Sequence, residues 1–168
     1  MNKIVKIVIG TLLVLNLLLL WNVISGHTKM KNAKELLFLT EVQIKLIELE
    51  GSIGTQMENN WSEPNMVTTV LGDVLNGIEL SIATAEHLGN LSNDERTIIL
   101  NGLYGELSQY PIDEKYNFST LSEEDKQSFE KLRVKLRDAG FGVGIQVSVD
   151  KQYFLNQASK LIDNIQSP

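Results

Sequence analysis

The chain of 168 residues contains no cysteine. That excludes a disulfide framework, thiolate chemistry and lipid attachment at a processed cysteine. Histidine is almost as scarce. His27 and His87 form no HExxH or other close two-histidine spacing, so zinc sites of the usual kinds are not expected. No serine sits in a G-x-S-x-G elbow, and a nucleophile, base and orienting group are not recognisable as a set. Gly140, Gly142 and Gly144 alternate, but a helix precedes them and apolar alternation follows. That context fits a turn or close-packed strand better than a phosphate loop. No catalytic activity and no cofactor are expected.

Basic residues are missing from one long interval. Between Lys45 and Arg96 there is no Lys or Arg, while Glu48, Glu50, Glu58, Glu63, Asp73, Glu79, Glu86, Asp94 and Glu95 fall inside it. Two of the 15 Lys and Arg precede Gly26, leaving 13 against 21 Asp and Glu, a charge of −8 from there onward. Such a surface disfavours DNA, RNA and anionic lipid headgroups as main partners. Carboxylates scattered without a ligand-loop spacing read first as a solvated face, and second as a docking surface for a basic partner.

What the chain does have is a charge-free run of 18 residues, Ile7 to Ile24, following Lys3 and Lys6. As a helix it would extend about 27 Å, against a hydrocarbon core of about 30 Å. Asn16 is its one central polar group, and Trp21 and Asn22 suit an interface. The membrane-spanning candidates are Ile7, Leu12, Leu15, Leu18, Trp21 and Ile24. A cleaved secretory signal is the competing reading, with Ser25 and Gly26 near a cut. The run exceeds the usual apolar region of a signal peptide, which favours a retained anchor. The basic N-terminus argues for an inside amino end. Lys29, Lys31 and Lys34 on the other side nearly cancel that bias.

The remaining 142 residues suffice for one domain with its own core. His27 to Asn32 reads as a short polar linker, or as a helical continuation of the membrane segment into the next helix. Leu39, Val42, Leu46, Leu49, Ile53 and Met57 recur at steps of three and four, predicting a helix over 33–58. Glu41 and Lys45 have favourable i,i+4 order within it. Asn59 to Asn65 is a loop punctuated by Pro64. A second helix is expected over 66–88, ended by Gly89, with Val67, Val70, Leu71, Val74, Ile78, Ile82 and Ala85 inward. A third follows over 94–109, capped by Ser92 or Asn93 and blocked by Pro111. Ser122 opens a fourth with a capping-box pattern, and Gly140 stops it after Ala139. The last runs over 151–165, capped by Ser148 or Asp150.

Phe141, Val143, Ile145, Val147 and Val149 alternate with Gly142, Gly144, Gln146 and Ser148, a period-two strand signal. No equally convincing strand partner exists. Asn60, Asn90 and Asn117 each begin an N-x-S triplet, at a frequency close to chance.

The expected architecture is therefore all-α. An N-terminal transmembrane or signal-anchor helix (1–26) and a linker (27–32) lead into a helical domain (33–168). That domain is a four- to five-helix bundle with one short extended segment, a strand if it finds a partner, near 141–149. The expected function is a single-pass anchored, extracytoplasmic interaction domain whose partners are the bilayer and another protein. Trp61, Glu58 and Glu63 are its candidate partner-binding residues, although Trp61 also suits the end of a core. The alternative is a ligand-binding or sensory bundle with an apolar pocket between helices.

Overall fold

The computed structural model describes residues 3–87, 92–113, 120–145, 147–148 and 150–167, with the side chains of 4–8 and 27–39 outside the description. The described chain is all-helical, with an apolar N-terminal helix followed by a helical bundle. It divides into two compact units, residues 1–34 and 35–168.

The first helix, α1, spans Lys3–Leu37. The polar stretch 27–32, expected as a linker, is helical within it. The backbone then passes through a wide π turn, Phe38–Gln43, into α2, Ile44–Glu58. Next come α3 (Asn65–His87), the short α4 (Asn93–Arg96), a second wide turn (Thr97–Tyr104) and α5 (Gly105–Leu107). The last two are α6 (Glu123–Ala139) and α7 (Lys151–Gln166).

Helix starts follow the local chemistry. Ser92 and Ser122 each accept from the N3 backbone N–H, and Glu95 and Asp125 reach back to the cap N–H. Both are complete capping boxes, which satisfy donors left unpaired by helix geometry. Asp150 caps α7 by accepting from Gln152 and Tyr153. Gly140 ends α6 with a left-handed φ of 99°, a conformation that favours glycine. The expected cap at Gly89 and the triplets at Asn90 and Asn117 lie outside the described residues.

Within the second unit the elements close a ring. α2 packs on α3 and α6, α6 on α7, α7 on the 97–104 turn, and that turn on α3. The interior is filled by aliphatic side chains with Phe129, Phe141 and Phe154, all buried. Val67, Leu71, Val74, Ile78, Ile82 and Ala85 of α3 face inward as their spacing predicts, whereas Met57 of α2 is exposed. By length and composition α3 is also long and apolar enough to cross a membrane. Half of it is buried inside the bundle, however, as a core helix would be.

The 141–149 segment is not a strand among its described residues. Gly140 turns the chain out of α6, and Ile145 N–H donates back to the Gly142 carbonyl at 3.0 Å. Gly144 takes a φ of 84°. Phe141 is buried but Val143 is exposed, so the alternating side chains do not share one covered face.

Candidate functional site

Two features of the molecule stand apart from ordinary core packing. One is the apolar helix. Ile9–Gly26 is long and apolar enough to span a membrane, and none of it is buried. Leu12, Leu15, Leu18, Trp21 and Ile24 are each between 51% and 72% exposed. Ile7 is helical in backbone, and its side chain lies outside the description. Asn16 donates from Nδ2 to the Leu12 carbonyl at 2.9 Å, so part of its polar demand is met within the helix.

The other feature is Glu50, a carboxylate 1% exposed on α2. Its Oε1 accepts from Arg133 Nε at 2.9 Å and Arg137 Nη1 at 3.0 Å. Its Oε2 accepts from the Val143 N–H at 2.8 Å. Burial alone would raise the pKa of this carboxyl. The Val143 N–H and the guanidiniums of Arg137 and Arg133 outweigh that and hold it below its usual value. Arg133 and Arg137, four apart on α6, reach Glu50 from one side, while the turn after Gly140 arrives from the other. Gly51 and Gly54 make room on α2. A Cβ at Gly54 would press on the Arg133 guanidinium, and one at Gly51 would touch Val143 Cγ2. Glu50 thus joins α2, α6 and the 141–145 turn in one buried electrostatic node.

A second polar link runs beside it. Gln43 Nε2 donates to Gln157 Oε1, and Gln157 Nε2 donates to the Gly140 carbonyl, each at 3.0 Å. The wide turn, α7 and the cap of α6 are joined by these two amides.

The candidate partner-binding residues separate. Glu58 and Glu63 are exposed. Trp61 is half-buried, its ring 6.4 Å from that of Phe129, and its indole N–H donates to Glu130 Oε1 at 3.1 Å. Tyr110 lies on the same phenyl ring at 5.3 Å. Trp61 therefore closes one end of the core, with a left-handed φ of 55°. Lys45 pairs with Glu48 at 2.8 Å, an i,i+3 contact that sequence order alone did not single out. His87 is exposed at the end of α3, where a basic group complements the helix dipole.

The surface also carries shallow cavities. One of about 320 Å³ is lined by Glu106, Gln109, Tyr110, Pro111, Asp125, Ser128 and Ile165. Another of about 330 Å³ lies between the 97–104 turn and α7, beside Ile98, Gly102 and Ile162. Both are at the small end of ligand-binding clefts. No family model, curated protein or solved structure matches the chain.

Proposed function

We propose that the chain is a single-pass membrane-anchored protein whose helical bundle lies outside the cytoplasm and works by binding another protein, without catalysis. The observation that carries this reading is the helix Ile9–Gly26, charge-free and exposed along its length. A helix with apolar side chains on every side is unstable in water and stable in lipid. The second unit, by contrast, has an acidic surface and a filled core. Its buried carboxylate is committed on both oxygens to structural bonds. Exposed Glu58 and Glu63, flanking the Trp61 loop, offer a negative face to a basic partner surface.

The lack of cysteine makes topology directly testable. His87→Cys places one thiol on the exposed end of α3. In intact cells a membrane-impermeant maleimide labels it if the bundle faces outward. Labelling only after lysis would reverse the orientation. A mature mass that retains the first 26 residues is expected, and a mass lacking them would replace the anchor by a cleaved signal. Photo-cross-linkers at Glu58 and Glu63 are expected to capture one protein partner, with capture lost on charge reversal at both positions.

A further inference from the structure

The apolar helix is not uniform around its circumference. Steps of three and four from Ile9 give Leu12, Asn16, Leu19 and Val23, one seam along one side. All five side chains are exposed. Alternate seam positions hold Ile9, Asn16 and Val23, and the intervening ones Leu12 and Leu19. β-Branched residues alternating with leucine is the pattern that favours two parallel strands, and one asparagine at a β-branched position fixes register and strand number. Val14, Leu18 and Trp21 lie on the other side of the helix.

Asn16 supplies the reason for a partner. The structure gives its side chain one hydrogen bond, Nδ2 to the Leu12 carbonyl. The amide has a second N–H and an oxygen with two lone pairs. Its flanking residues, 12–15 and 17–20, are all Leu or Val, so the helix itself offers no other side-chain partner there. In hydrocarbon an unmatched amide is costly. An amide carries both donor and acceptor and so complements another copy of itself. Chains inserted in the same direction bring Asn16 to the same depth in every copy.

We propose that this helix is a parallel two-stranded interface with a second copy of the chain, joined along Ile9, Leu12, Asn16, Leu19 and Val23 through an Asn16–Asn16 hydrogen bond. The inference rests on the membrane-anchored reading, which it deepens by naming the partner of the anchor itself.

The test uses full-length chain in its native membranes with single cysteines. Under copper-phenanthroline oxidation Leu19→Cys is expected to give a disulfide-linked species of twice the chain mass, and Leu18→Cys is not. In the Leu19→Cys background, Asn16→Leu should lower that species by about tenfold, and Asn16→Gln should retain most of it. Equal cross-linking at both positions, none at Leu19, no loss with Asn16→Leu, or a product of another mass would overturn the two-copy seam. Alkaline carbonate extraction of the same membranes separates the two ideas. Chain that stays with the lipid but fails to cross-link removes the seam and leaves the anchor. Chain that is extracted removes both.

Discussion

At the scale of single residues, Glu50 and two glycines make the sharpest claims. The carboxyl of Glu50 is held below its ordinary value of 4.5 by partners that exist only in the folded state. Its stabilising effect is therefore complete above that value and is lost as pH falls below it. Wild-type protein in mild detergent should lose thermal stability progressively as pH falls below about 4.5. Glu50→Gln should show a flatter profile there and be about 1–2 kcal/mol less stable at pH 7, because Arg133 and Arg137 remain half-exposed and can resolvate. A parallel acid profile for the variant would remove Glu50 as the source. Gly77 and Gly72 share α3 and make a matched pair. A Cβ at Gly77 would overlap the Glu41 carbonyl oxygen of the wide turn, whereas one at Gly72 meets nothing within 4 Å. Gly77→Ala should cost about 1–3 kcal/mol through forced separation of α3 and the turn. Gly72→Ala should instead stabilise by about 0.5–1 kcal/mol. Denaturation midpoints of the two variants, moving in opposite directions, check the contact.

At the scale of elements, caps and stripes were legible and backbone irregularities were not. Ser122 is the clearest case, since its hydroxyl and the Asp125 carboxylate exchange bonds with each other's backbone N–H. Ser122→Ala should cost about 1 kcal/mol, and Asp125→Ala should add little once Ser122 is gone, a non-additivity that a double-mutant cycle would measure. The period-two signal over 141–149 produces no strand among the described residues, for a local reason. The alternation of its side chains is real, but Glu50 takes the Val143 N–H that a ladder would need, and Gly140 and Gly144 bend the path. The wide turns were missed because an inserted residue leaves no change in composition. Spacing does not mark them either: Ile99, Leu103 and Leu107 are buried at steps of four, and so are Val74, Ile78 and Ile82 in the regular helix α3. The Glu50 site was also readable in part. Glu50 lies four residues after Leu46 and three before Ile53, inside the apolar stripe, and Arg133 and Arg137 repeat at i,i+4 on a later helix. Nothing in the sequence paired them across 83 residues. Trp61 had two readings, and its contact with Phe129 and Glu130 belongs to the packed one.

At the scale of the whole molecule, the division at Lys34 and Glu35 separates two kinds of solvent preference. Among the described residues, every buried apolar side chain of the core lies at or after Val42. The exposed aliphatic run, by contrast, lies within Ile9–Gly26. A bundle whose described core side chains all lie at or after Val42 should not need Ile9–Gly26 to fold. Residues 35–168 alone should therefore be soluble without detergent and unfold in one cooperative transition. Their melting temperature should fall within about 4 °C of the bundle transition in the full chain, corresponding to less than about 1 kcal/mol for a domain of this size. Far-UV circular dichroism measures the transition, and sedimentation measures the state of the fragment. By the seam argument the fragment should also sediment as a monomer, because Asn16 and its neighbours are absent. Aggregation or a broad, uncooperative melt would mean that α1 completes the bundle. A stable dimer of the fragment would place self-association in the bundle and leave the membrane seam without a necessary role.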